Sequence, residues 1–183
     1  MLHNPIIGIT GGKRHGKDTT ANYIGECLDI TRISFAEPLK RCARALFEGY
    51  DIKWENKDEE ILPIPGNYTV RDLLIALGRG LRDYLDIDFF VKLAQNRIAR
   101  AKGLVVITDV RYPNEAKLIR SMGGEIIKIV RPELLPYSDA EKQIDLISSD
   151  YFLSNVGTLE DLRRKIQLTL VPALLEKLTA IAK

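Results

Sequence analysis

Histidine and cysteine are scarce in this chain, with two of each among 183 residues. His3 and His15 are too few for a histidine-rich metal centre or a histidine-relay hydrolase. Cys27 and Cys42 form no C-x-x-C pair, which excludes a zinc frame or a redox motif and fits a reducing, cytoplasmic setting. No apolar run approaches the ~20 residues that cross a bilayer. The opening MLHNPIIGIT has no basic stretch followed by a long apolar one, so no secretion leader and no membrane partner are expected. Neither sign of charge dominates: 27 Lys+Arg stand against 25 Asp+Glu, a net +2. That balance argues against a nucleic-acid polymer as partner and against a polybasic membrane anchor. With 45% hydrophobic and 28% charged residues, the chain reads as one globular domain over 1–183. At this size a fold buries close to ~70% of its extended surface and needs no disulfide or metal staple.

What is present is an alternation of short apolar runs with helical periodicity. Residues 5–10, 31–35, 103–109, 125–130 and 150–153 read as strands. The spacing predicts helices over 17–28, 36–47, from Thr69 to about 86, from Asp88 to about 102, over 113–122, and from Thr158 onward. Pro172 is expected to kink or restart the last of these. Strands that are apolar throughout, separated by helices, predict a three-layer α/β domain around a mostly parallel sheet of roughly five strands. Two stretches break the pattern. Residues 49–67 are acidic and then proline- and glycine-rich, and 131–149 are polar with Pro132 and Pro136. Both are expected to be covering segments over a binding site.

Directly after the first strand comes Gly11-Gly12-Lys13-Arg14-His15-Gly16-Lys17-Asp18-Thr19, close to G-x-x-x-x-G-K-[ST]. Glycines let such a loop turn its backbone N–H groups inward onto phosphate oxygens, and the helix that follows adds its positive end. Lys17 can then reach the β- and γ-phosphates of a nucleoside triphosphate. Asp18 departs from the pattern, since a hydroxyl usually follows the lysine and serves Mg²⁺. A carboxylate is also a hard oxygen ligand, so Asp18 can hold the metal directly or through water. Thr19 keeps a hydroxyl one position later, within reach of the α-phosphate.

A second carboxylate, Asp109, ends the apolar run Leu104–Thr108, where many phosphate-loop proteins hold the metal's water shell. Arg111 follows two positions on, at the carboxyl edge of the sheet where a second phosphate can be held. On the helix after Thr69, Arg71 and Arg82 fall within roughly 20° of each other and Arg79 roughly 80° away, at about 100° per residue. Periodicity alone favours a solvated basic face for those three over a binding face. Lys40, Arg41 and Arg44 form a further cluster.

Taken together these segments resemble the phage-type deoxynucleoside monophosphate kinases, within the P-loop nucleoside monophosphate kinase group. The resemblance is carried by Gly16–Thr19, by Ser34-Phe35-Ala36-Glu37-Pro38-Leu39-Lys40, by Leu77-Gly78 with Arg82, by Thr108–Ala116 and by Asn155–Leu162. It implies a P-loop kinase fold and transfer of the γ-phosphoryl group of ATP, with Mg²⁺, to a deoxynucleoside monophosphate. Lys17, Asp109 and Arg111 would act in the transfer. Gly11–Thr19, Arg131, Asn155 and Gly157 would bind ATP. Phe35, Lys40, Arg71, Arg79, Arg82 and Arg111 would bind the acceptor, and Asp18 and Asp109 the metal. The chain departs from the resemblance at Arg79, where threonine is frequent, at Phe89-Phe90, where tryptophan is usual, and at Ser138-Asp139-Ala140-Glu141, which keeps only the glutamate of a His-x-Ser-Glu pattern.

Two other readings use the same loop: a kinase of another small acceptor, such as dephospho-coenzyme A or a wider range of nucleotides, and a non-catalytic nucleotide switch. The arginines on the acceptor side speak against the switch, which needs one nucleotide only. The apolar stretch from Leu170 to Ile181 reads as packed core, and a monomer or a homodimer is expected.

Overall fold

The computed structural model describes residues 5–134 and 142–181. Its packing divides into two compact units. The larger runs up to Ser34 and resumes at Ala94, and the smaller is Phe35–Leu93.

The larger unit is built on five parallel strands: β1 (Ile6–Thr10), β2 (Ile30–Ile33), β3 (Leu104–Val110), β4 (Glu125–Val130) and β5 (Tyr151–Ser154). They lie in the order β2-β3-β1-β4-β5. All five fall where the apolar runs predict them. The inner strands β1 and β3 are buried nearly end to end and β4 at Ile126, Ile127 and Ile129, as a sheet covered on both faces requires. The edge strands β2 and β5 are only partly buried, and Phe152 on β5 is 66% exposed.

Because side chains alternate across a strand, each inner strand feeds two faces. Ile7, Ile9, Val106, Ile127 and Ile129 meet Ala21 and Ile24 of α1 (Lys17–Cys27) and Leu162 of a later helix. On the opposite face Gly8 lies so close to Ile119 of a second helix, Pro113–Ser121, that a Cβ there would come within 2.6 Å of its Cδ1. Helix, sheet and helix make the three layers.

The smaller unit holds α2 (Glu37–Leu46), a 3-10 turn at Trp54–Asn56, α3 (Val70–Tyr84) and the start of α4 (Phe89–Arg100), which continues into the larger unit. The acidic excursion is folded. Ile52, Leu62 and Val70 form a small core with Phe47, Trp54, Leu73 and Leu74, and an isolated antiparallel bridge joins Ile61 to Thr69. Thr69 caps α3 as expected, accepting from Asp72 N while the Asp72 carboxylate accepts from Thr69 N at 2.8 Å.

In the larger unit α5 (Pro113–Ser121) follows β3, α6 (Lys142–Asp145) is a single turn before β5, and α7 (Leu159–Lys165) follows β5. Thr158 and Asp161 repeat the capping box at the start of α7. The helix does not break at Pro172. Ile166–Leu170 instead form a π turn that leads into α8 (Val171–Ile181). Proline has no N–H and crowds the preceding turn, and the wider i→i+5 bonding is one way a helix passes it. No helix among the described residues is long and apolar enough to cross a membrane.

Candidate active site

The loop after β1 is held by bonds that sequence spacing does not reveal. Lys17 Nζ donates to the carbonyls of Gly11 at 2.8 Å and Gly12 at 2.7 Å. His15, only 2% exposed, places Nδ1 3.3 Å from the Ile129 carbonyl at the end of β4. Asn155, at the end of β5 and also buried, donates from Nδ2 to the His15 carbonyl at 2.9 Å. The loop is therefore tied to two neighbouring strands from its buried side.

Two of its glycines are required by this arrangement. Gly11 has φ +149 and a Cβ there would sit 2.3 Å from the Ile129 carbonyl oxygen. Gly16 has φ +100, and a Cβ there would fall 2.7 Å from Asn155 Nδ2. Lys13 and Arg14 are exposed, and Arg14 holds a left-handed φ of +64. Lys17 opens α1, so the helix's positive end faces the loop. The Asp18 carboxylate points to Arg32, 3.0 Å from its Nη2, and the side chain is 81% exposed. Thr19 is half-buried.

Asp109 lies where β3 runs one residue longer than β1. Gly8 pairs with Ile107 and Thr10 with Val110, so Thr108 and Asp109 bulge opposite Ile9. A bulge re-aims a side chain, and this one sits beside the strand end from which the phosphate loop departs. Thr10 Oγ1 donates to the Val110 carbonyl at 2.8 Å and closes the bulge. Ser34 Oγ donates to Asp109 Oδ2 at 2.6 Å, and Arg97 Nη1 donates to the Ser34 carbonyl at 2.8 Å. Arg111 is exposed in the turn after β3. Its N–H and that of Tyr112 donate to Glu115 Oε2 at 2.7 and 3.1 Å, from a glutamate only 3% exposed.

Among the remaining nucleotide-side expectations, Arg131 is exposed and 3.6 Å from Glu133. Gly157 takes φ +98 in the turn before α7, against Asp161. The Thr158 N–H and hydroxyl hold the Asp161 carboxyl below the usual carboxylate range. Ser138–Glu141 lie outside the described residues, as do the other positions of 135–141.

In the smaller unit Phe35 is 2% exposed and Lys40 is half-buried on α2. Arg71 pairs with Asp58. Arg79 pairs with Asp83 one turn on, with its side chain 81% exposed. Arg82 donates to the Gly78 carbonyl at 3.1 Å and lies 4.6 Å over the Phe90 ring. Of the three arginines on α3, Arg79 is exposed, Arg71 and Arg82 are half-buried, and Arg82 is the one stacked on an aromatic ring.

Sequence reasoning gave no role to Ser34 or Glu115 and passed over Arg97. Ser34 stands inside a recognised segment, and a hydroxyl at a strand's carboxyl end was a signal available to find it. Glu115 stands four residues after Arg111 at a helix start, which is where a carboxylate serves backbone N–H groups. Nothing local separates Arg97 from Arg100.

A parallel sheet with a glycine–lysine phosphate loop after β1 and a carboxylate at the end of the neighbouring strand defines a P-loop kinase fold. A gluconokinase from Sinorhizobium meliloti 1021 has a similar fold, with a TM-score of 0.53 and 14% identity over 100% of this chain and 99% of its own. The family described as deoxynucleotide monophosphate kinase matches residues 51–166. A putative deoxynucleotide monophosphate kinase of Acanthamoeba polyphaga mimivirus is 31% identical over 88% of this chain and 93% of its own length. The deoxynucleotide monophosphate kinase of Enterobacteria phage T4 is 23% identical over 90% and 98%. The chain belongs to the deoxynucleotide monophosphate kinase family.

Proposed function

We propose that this protein transfers the γ-phosphoryl group of ATP to deoxynucleoside monophosphates, yielding the diphosphate and ADP, in the cytoplasm. The observation that carries the reading is the tethered loop Gly11–Thr19 with Lys17 at the start of α1. Family membership supplies the class of acceptor. In the transfer an acceptor phosphate oxygen bonds to the γ-phosphorus as the bond to the β–γ bridging oxygen breaks, and ADP leaves with that electron pair. Such a reaction asks the protein for position and charge more than for covalent chemistry.

Backbone N–H groups of the loop hold the β- and γ-phosphates, and Lys17 exchanges the Gly11 and Gly12 carbonyls for phosphate oxygens. Arg131 and the Asn155–Gly157 turn lie toward the nucleoside of ATP. The candidates for the acceptor phosphate are Arg111 in the larger unit and Lys40, Arg71, Arg79 and Arg82 in the smaller, where Phe35 is the candidate for the acceptor base. The oxygen donors offered by Asp109, Asp18 and Thr19 are the hard kind that suit Mg²⁺. Asp109 would hold it from the bulge in β3, and Asp18 would join after leaving an exposed ion pair that costs little to break. When bound, the ion neutralises charge on the phosphate oxygens.

The test is ADP release measured with each deoxynucleoside monophosphate in turn. Release that depends on at least one of them is expected. Release with dephospho-coenzyme A alone, or no acceptor-dependent release at all, would overturn the reading.

A further inference from the structure

The usual phosphate loop supplies a hydroxyl directly after its lysine, and that hydroxyl serves the metal together with the strand-end aspartate. Here the position is Asp18, whose carboxylate is committed to Arg32 at 3.0 Å and is largely exposed. A hydroxyl is nevertheless delivered to the aspartate, from another strand. Ser34, the residue that follows β2 (Ile30–Ile33), donates from Oγ to Asp109 Oδ2 at 2.6 Å. The register of β2 on β3 places it there, because Ile33 pairs with Ile107 and the next residue of β2 runs alongside the bulge that carries Asp109. The backbone of Ser34 is itself secured, since its carbonyl accepts from Arg97 Nη1 at 2.8 Å.

We propose that Ser34 is the positioning residue for the metal-binding carboxylate. Its hydroxyl fixes the plane of the Asp109 carboxylate, and Arg97, reaching back from α4, holds Ser34 in place. This rests on the proposed activity, in which Asp109 serves Mg²⁺. A carboxylate held in one orientation loses less rotational freedom on binding a cation than one that turns in solvent. Partners of this kind behind a metal ligand are worth about 10–100-fold in metal affinity. The serine thus restores, across the sheet, a support that Asp18 has removed from the loop.

The experiment is a Mn²⁺ titration followed by electron paramagnetic resonance, on the full chain with a non-hydrolysable ATP analogue. Ser34→Ala is expected to weaken Mn²⁺ binding about 10-fold, with the analogue's own affinity in the absence of metal unchanged. Ser34→Thr, which keeps the hydroxyl, is expected to stay within about twofold of the parent. Arg97→Gln is expected to weaken binding by a smaller factor, because it acts on Ser34 and not on the ligand. Ser34→Cys, close in size but a weak donor, reports the same loss if the alanine variant folds poorly. Parent-like Mn²⁺ affinity in Ser34→Ala or Ser34→Cys would overturn the proposal, as would equal losses in Ser34→Thr and Ser34→Ala. The titration contains no acceptor, so it reads the support of Asp109 even where transfer to a deoxynucleoside monophosphate fails.

Discussion

The two units meet phosphate chemistry with different materials. In the larger, the phosphate loop offers backbone N–H groups and Lys17, set on a sheet whose strands β1 and β3 are buried almost completely and tied by Asn155 and His15. In the smaller, the candidate groups are long side chains on helices around fewer buried residues, among them Phe35, Ala43, Ile52, Leu62, Val70 and Phe90. Tyr84, Leu85 and Ile87 in that unit are more than 60% exposed. Where the backbone is the ligand, geometry is fixed before anything binds. Where arginines are the ligand, each must be drawn from its present partner, and the cost differs from one to the next.

The largest test of this contrast is Lys17→Ala. Removing the lysine whose ammonium lies against the Gly11 and Gly12 carbonyls is expected to lower turnover about 10²–10³-fold, read in the ADP-release assay, with no comparable loss of thermal stability. Next comes the contrast among arginines. Arg82→Ala is expected to raise the KM for the acceptor about 10-fold, roughly 1.4 kcal/mol, with a smaller change in kcat. Arg79→Ala is expected to change it less than about twofold, because an exposed pair one helical turn apart contributes little. Equal effects at the two sites would mean that charge alone, and not placement on the unit's surface, sets the acceptor affinity.

The smallest effect is on two threonine capping boxes, that of α3 in the smaller unit and that of α7 in the larger. The Thr69 hydroxyl and N–H hold the Asp72 carboxyl below its ordinary value, and the Thr158 N–H and hydroxyl do the same for Asp161. A carboxyl lowered in the folded state adds stability at pH above its unfolded value, and that stability is lost as pH falls through the folded one. Acidification below about pH 4 should therefore lower the hydrogen-exchange protection, taken relative to the intrinsic rate at each pH, of amides in the first turns of α3 and α7. The sparser core of the smaller unit predicts that α3 responds first. Earlier loss of protection in α7 than in α3 would reverse the contrast between the units.

Much of the larger unit could be read from the chain because its information is local. A strand buried on both faces has to be apolar, and a phosphate loop has to be contiguous, so β1, β3, β4 and Gly11–Thr19 were all visible. The contacts that give the loop its posture are not local. Asn155 reaches His15, and Ser34 reaches Asp109, between positions that no spacing rule connects. The smaller unit hid for another reason. Its excursion is rich in Asp, Glu and Pro, and its buried apolar residues, Ile52 and Leu62, stand too far apart to make a periodic signal. Pro172 announced a disturbance in the C-terminal helix, but the sequence does not say whether proline will bend a helix or widen it.

That widening has a consequence for phase. At about 100° per residue, side chains four apart creep around a helix by about 40° per step, so in an unbroken α-helix Leu174 would stand roughly a third of a turn from Leu162. Leu162, Ile166, Leu170 and Leu174 are all nonetheless buried in one cluster. The π turn at Ile166–Leu170 fits an extra residue into one turn and winds that drift back. A single-residue deletion within it would convert the turn to ordinary α-helix and leave Leu162 and Leu174 about 20° apart, so the apolar stripe of α8 should still face the core, whereas forcing the full-length segment into α-helix would swing it away.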